Sequence, residues 1–197
     1  MKKKTESAKK TYSRRAFVVW AALVMAAVLV LSAPMAQARK KHHRPPALNT
    51  VQCPNQGDSV TCNGTAGNDH LIGRAGTSDD IFGKEGNDVY EGKGGGDLLV
   101  DSSTTSNDTY LFKGPDLGTS FVVDCGGNSD TVDLSSTSFR LLDNVTITRK
   151  DDDTGGCSVT PAEDLTLSGP EGTVEIVDHF GVGKVEKIKF ANGTLTF

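Results

Sequence analysis

Gly64-Thr-Ala-Gly-Asn-Asp69-His-Leu71-Ile, Gly73-Arg-Ala-Gly-Thr-Ser-Asp79-Asp-Ile81-Phe, Gly83-Lys-Glu-Gly-Asn-Asp88-Val-Tyr90-Glu and Gly92-Lys-Gly-Gly-Gly-Asp97-Leu-Leu99-Val run on without a gap between Gly64 and Val100. The period is nine residues, once ten. Glycines open each unit, an aspartate follows, and an apolar residue comes two places later. Glycine permits a tight turn and close backbone approach. The carboxylate supplies a hard oxygen ligand, and Asp-x-apolar starts a short strand with one inward side chain. Nine residues suffice for one turn and one strand, so successive units must coil.

The units resemble the glycine-rich nonapeptide G-G-x-G-x-D-x-U-x, with U a large apolar residue, of the RTX or haemolysin-type calcium-binding family. The second glycine is replaced by Thr65, Arg74, Lys84 and Lys93, and Ser78 is a one-residue insertion before Asp79. The resemblance implies an all-β fold: a short right-handed parallel β-roll followed by a β-rich C-terminal cap. In such a roll units n and n+2 lie one above the other, about 4.8 Å apart. Asp69 and Asp88 are 19 residues apart, and Asp79 and Asp97 are 18 apart, which would pair them on two opposite edges. Asp108 extends the first edge as a degenerate fifth unit. Gly126-Gly-Asn-Ser-Asp130-Thr-Val132 reads as an isolated echo.

Stacked carboxylates about 5 Å apart repel by roughly 3 kcal/mol at an effective dielectric of 20. A cation between them removes that repulsion. The resemblance points to Ca2+, held by Asp69, Asp79, Asp88, Asp97 and Asp108 with the turn carbonyls of Gly67, Gly76, Gly86 and Gly95. Six to eight oxygens suit calcium, whereas magnesium demands a stricter octahedron. Zinc is disfavoured, because its usual Cys and His ligands are missing from the turns. The plainer alternative is that Gly-Asn-Asp only marks turns, as these residue types do without any metal. Four tandem units favour the ion.

The first 38 residues have the form of a secretory signal, with a basic start, an apolar run from Ala16 to Leu31 and a small-residue cleavage site at Ala36-Gln-Ala38. Ser13-Arg14-Arg15-Ala-Phe17 also resembles a twin-arginine address. Calcium- and disulfide-dependent folding fits unfolded export better and favours the general route. An uncleaved anchor over Ala16 to Ala33 is the third reading, and the cleavage motif speaks against it. The expected product is secreted, starts near Arg39 and has no stable membrane span.

From residue 39 on, 14 Lys and Arg face 24 Asp and Glu, a formal net charge of −10. Such a surface is a poor partner for nucleic acid. The basic block Arg39-Lys-Lys-His-His-Arg44 is the exception: a solvated terminus, or a contact with an anionic cell surface.

Cys53, Cys62, Cys125 and Cys157 all follow the signal, which suits structural disulfides in an oxidising compartment. Of the three connectivities, sequence proximity favours Cys53 with Cys62 and Cys125 with Cys157. Strand patterns recur at Phe121-Val-Val, Thr131 to Leu134, Asn144 to Thr148, Asp164 to Leu167 and Thr173 to Val177, with a hairpin turn at Asp151 to Gly156. Val174 to Phe197 resembles the closing segment of RTX proteins, and a solenoid needs an atypical last unit. The expected organisation is signal 1–38, basic lead 39–50, calcium-binding roll with its lead-in 51–135 and cap 136–197.

No catalytic signature such as His-Glu-x-x-His, Gly-x-Ser-x-Gly or a phosphate-cradling Gly-Lys-Ser/Thr is present. His42 and His43 lie in the basic block, His70 at a variable repeat position and His179 beside Phe180 in the cap. The 25 residues from Arg39 to Asn63 are too few for a catalytic domain, so no enzyme is expected. Three readings remain: a free-standing calcium-binding protein, a cell-surface or matrix interaction module, and an orphaned export module of a toxin or hydrolase. Asn-x-Thr triplets at Asn63, Asn107, Asn144 and Asn192 are read as chance.

Overall fold

Each nonapeptide gives one strand of three to five residues, because the glycine turn ends it and a single inward side chain anchors it. The computed structural model describes residues 47–55, 57, 59–151, 156–157, 163–181 and 184–197. The expected signal, the basic block with His42 and His43, and residues 152–155 of the acid turn lie outside them. Among the described residues all regular structure is β, and no helix is long and apolar enough to cross a membrane.

In chain order the strands are β1 (Asn49–Gln52), β2 (Ser59–Asn63), β3 (Asp69–Ile72), β4 (Ser78–Phe82), β5 (Val89–Glu91), β6 (Leu98–Asp101), β7 (Thr109–Lys113), β8 (Gly118–Asp124) and β9 (Thr131–Ser136). They alternate between two sheets, so that β1-β3-β5-β7-β9 form one and β2-β4-β6-β8 the other, each paired in parallel. The result is a parallel β-solenoid of about four turns. Units n and n+2 therefore stack, as the repeat implies.

The chain leaves the coil after β9 and returns to it. β10 (Thr146–Asp151), β11 (Glu163–Gly169) and β12 (Gly172–Val177) form an antiparallel meander whose last strand pairs in parallel with β8. β13 (Lys187–Phe190) then pairs in parallel with β9 and turns back as β14 (Gly193–Thr196). Parallel pairing thus continues beyond residue 135, with β12 and β13 forming one more coil. Both sheets finish on antiparallel strands, which cover the last inward side chains and the open backbone edge that a solenoid end would expose.

The interior is two register rows. Leu71, Tyr90, Tyr110, Val132 and Ile188 stack in one sheet, facing Cys62, Ile81, Leu99, Val122 and Ile176 in the other, and all are buried. The rings of Tyr90 and Tyr110 stack with centroids 4.8 Å apart, the spacing of adjacent strands. Disulfides Cys53–Cys62 and Cys125–Cys157 tie the first coil and join the end of β8 to the cap segment, the pairing that proximity favoured. Closing loops of 9 and 32 residues, they restrict the unfolded chain most at the second.

Candidate metal centre

The repeat aspartates enter their strands with side chains pointing inward, because Asp-x-apolar puts the carboxylate on the same face as the core residue. Asp69, Asp88, Asp108 and Asp130 line one edge of the solenoid and Asp79 and Asp97 the other, all buried. One oxygen of each serves the coil before it. The backbone N–H of Asp69 donates to Asp88 Oδ1 (2.8 Å), that of Asp88 to Asp108 Oδ1 (2.6 Å) and that of Asp108 to Asp130 Oδ1 (2.6 Å). Asp130 N–H donates in turn to Glu186 of the last coil at 2.7 Å. On the opposite edge Asp79 N–H donates to Asp97 Oδ1 (3.1 Å), and the Ser120 hydroxyl takes the next place. Asp130 is therefore no isolated echo, but the fourth member of a continuous ladder.

Asparagines build a second ladder on the first edge, their side-chain carbonyls accepting the N–H one coil further on. Asn87 N–H donates to Asn68 Oδ1 (2.9 Å), Asn107 to Asn87 (2.7 Å) and Asn128 to Asn107 (3.2 Å). Turn preference alone explains Asn before Asp, so this role escaped the sequence reading. Its recurrence at Asn68, Asn87 and Asn107 was the available signal. The turn glycines expected to offer carbonyls pack backbone on backbone: a Cβ on Gly86 would lie 2.6 Å from the carbonyl carbon of Gly67, and one on Gly95 2.5 Å from that of Gly76.

The second carboxylate oxygen divides the turns into two kinds. Asp69 Oδ2 accepts from Thr65 N–H (2.6 Å) and Oγ1 (2.9 Å). Asp79 Oδ2 accepts from Arg74 N–H (2.6 Å), while Arg74 Nε and Nη2 reach its Oδ1 at 2.9 and 2.7 Å. These turns are closed by the chain itself, and at Asp79 an internal cation already neutralises the charge. In the next two units the corresponding residues, Lys84 and Lys93, are left-handed (φ 80° and 69°). There Asp88 Oδ2 and Asp97 Oδ2 are buried and, among the described residues, without a hydrogen-bond partner. The nonapeptide's second glycine is absent from the two turns whose backbone needs it, and lysine carries a strain of roughly 1 kcal/mol at such a φ. Lys84→Gly and Lys93→Gly should therefore each leave stability unchanged or raise it by about 0.5 kcal/mol, read as a small rise in thermal midpoint. Glycine in place of lysine ordinarily destabilises.

Two further carboxylates meet these at the first edge. Asp101 and Asp124 end β6 and β8 in register with each other and point inward. Carboxylate oxygens of Asp108, Asp124 and Asp130 lie within 4.8 Å of one another, all buried. Asp124 accepts from Tyr110 Oη (3.1 Å) and Gly126 N–H (2.9 Å), and Asp101 from Ser106 Oγ (2.9 Å). Among the described residues Asp101 Oδ1, Asp108 Oδ2 and Asp130 Oδ2 have no hydrogen-bond partner. Burial raises these acids, to about 8 at Asp108, about 7 at Asp97 and Asp130 and about 6 at Asp88 and Asp124, and raises Asp101 as well. The site consists of hard oxygen donors with no nitrogen or sulfur among them, which fits calcium and not zinc.

The chain matches no protein-family model, no curated protein and no solved structure.

His70 and His179 stand apart from this chemistry. His70 Nε2 lies 3.3 Å from Glu91, which Lys113 also reaches at 3.2 Å. His179 is buried in the cap, edge-on to Phe180 and Phe197 at 4.7 and 4.5 Å, and burial lowers its pKa to about 4.

Proposed function

We propose that the protein is a secreted calcium-binding protein of RTX type, without catalytic activity, whose solenoid is stabilised by ions at the acidic turns. The observation that carries this reading is the set of repeat carboxylate oxygens, on Asp88, Asp97, Asp108 and Asp130, that are buried with no hydrogen-bond partner among the described residues. An unpaired carboxylate in the interior is strongly unfavourable, and these four share one recurrent position in the repeat. Asp88 and Asp97 would hold calcium in the open turns, helped by the backbone carbonyls of Gly86 and Gly95, while Asp108 and Asp130 continue the first edge. Asp69 and Asp79, with oxygens engaged by Thr65 and Arg74, serve the same turns as structural members. Bound calcium supplies the positive charge that lets these acids stay ionised away from water. Two disulfides accord with an oxidising, extracellular location.

Calcium titration of the oxidised chain from Arg39, followed by circular dichroism and thermal melting with magnesium as control, tests the proposal. Extracellular sites bind with dissociation constants around a millimolar, and a tenfold excess then adds about 1.4 kcal/mol per site. The thermal midpoint should rise with calcium and hardly with magnesium. The same midpoint in chelator and in saturating calcium would refute the reading.

A further inference from the structure

Sheet register exposes a substitution that the nonapeptide does not encode. Gly83 N–H donates to Val100 O and Gly64 N–H to Phe82 O, which carries the parallel ladder into the residues that open the turns. Gly64, Gly83, Asp101 and Asp124 therefore occupy equivalent places in successive coils. At Gly83 the place is filled from the other side, since a Cβ there would lie 1.9 Å from Tyr90 Oη and 2.4 Å from Asp88 Oδ2. The turn from Gly83 to Asp88 spans five residues, but that from Asp101 to Asp108 spans seven. The turn from Asp124 to Asp130 spans six, so both turns that open on an inward aspartate are longer than the one that opens on Gly83.

Resting on the calcium reading above, we infer that Asp101, Asp108, Asp124 and Asp130 form an interior cation site of a second kind, made by aspartates standing where the repeat has its opening glycine. Three of the four place oxygens within 4.8 Å of one another, and Asp101, Asp108 and Asp130 each keep one buried oxygen with no hydrogen-bond partner among the described residues. Among the described residues no ion pair involves any of the four. Arg74 fills that need at Asp79, and nothing equivalent does so here. The hydroxyls of Ser106 and Tyr110 hold Asp101 and Asp124 in place. Ser106 also lines a polar cleft with Lys84, Glu85, Ser103 and Thr105, which brings solvent to this edge. Hard, anionic oxygens in this number select a calcium-like ion of charge two or more.

Tyrosine supplies the readout. Tyr90 and Tyr110 are the only tyrosines after residue 38, and the single tryptophan, Trp20, lies in the signal. Terbium bound beside Tyr110 should emit on tyrosine excitation, and calcium should displace it. The probe is terbium added to the oxidised Asp88→Asn/Asp97→Asn protein, which lacks the open-turn carboxylates. That protein should retain the sensitised emission. Adding Asp101→Gly and Asp124→Asn should lower it at least tenfold and remove one equivalent of bound calcium. Asp101→Gly alone restores the residue that the repeat uses in this place, so it keeps a folded variant available if the fourfold one does not fold, and it should lower the emission severalfold. Absence of emission from the Asp88→Asn/Asp97→Asn protein, or emission indifferent to Asp101→Gly and Asp124→Asn, overturns the interior site. Calcium-raised melting of the unsubstituted protein would stand in either case, so failure of this site and failure of calcium binding are told apart.

Discussion

In chelator, the thermal midpoint of the oxidised protein should fall as pH rises from about 4 to about 8, and calcium should abolish the fall. Burial raises Asp88 and Asp124 to about 6, Asp97 and Asp130 to about 7 and Asp108 to about 8. Each group binds its proton more tightly folded than unfolded. The stability that it contributes is fully present below the unfolded carboxylate value near 4 and is lost as pH rises through the folded one. His179, lowered by burial to about 4, works in the opposite sense and only between about 4 and 6.5, where its stabilisation is lost on acidification. Above 6.5 the carboxylates act unopposed. At about 1.4 kcal/mol per pH unit for each titrating group, the loss between pH 6.5 and 8 is on the order of 3 kcal/mol. Calcium holds the ionised form and competes with protons, so its stabilisation should be largest at the alkaline end. Melting curves across this range, with and without calcium, decide the matter: a chelated midpoint that is flat or rises with pH would mean that the acids are not buried as described.

Arg74→Ala should destabilise the chelated protein by about 3–5 kcal/mol, the usual consequence of removing one partner of a buried ion pair. Arg74 reaches Asp79 through Nε and Nη2, with side chains 10% and 0% exposed, and its Nη1 donates to Gly57 O at 2.6 Å. Without it, Asp79 becomes a bare interior carboxylate like Asp88 and Asp97. Calcium should then recover part of the loss, and Arg74→Lys should recover less than a full pair, because an ammonium cannot reproduce the two-pronged contact. Chemical denaturation of both variants in chelator and in calcium measures this. A loss below about 1 kcal/mol, or one of equal size in both conditions, would show that Arg74 is no surrogate for a bound ion. The same residue explains how one repeat can keep its fold with its second glycine replaced: the side chain has taken over the counter-charge.

Much of this architecture was legible because a nine-residue period leaves few alternatives. One inward residue per strand, Leu71, Ile81, Tyr90 and Leu99 in turn, requires two faces and parallel stacking of alternate units. The strands at Phe121, Thr131, Asn144, Asp164 and Thr173 were readable from alternation, and the disulfide pairing from proximity. The return of Thr173 to Val177 and Lys187 to Phe190 into the coil was not, since nothing local distinguishes a cap strand from a coil strand. Asp101 and Asp124 were missed for a similar reason. They stand at the ends of strands, outside the Gly-x-Asp pattern; each faces the next repeat aspartate across one turn, and register then stacks Asp101 on Asp124.

From composition and period alone came an acidic chain that must coil, with aspartates stacked on two edges, because local turn chemistry and side-chain alternation act within nine residues. Which aspartates are satisfied by their own turn and which lie bare in the interior was decided only by the folded chain. That outcome depends on a backbone angle at Lys84 and Lys93, the reach of Arg74 and the pairing of strands some twenty residues apart. The first two act within a single turn but are conformations that its residue types do not fix, and the third joins coils that no single stretch of sequence contains.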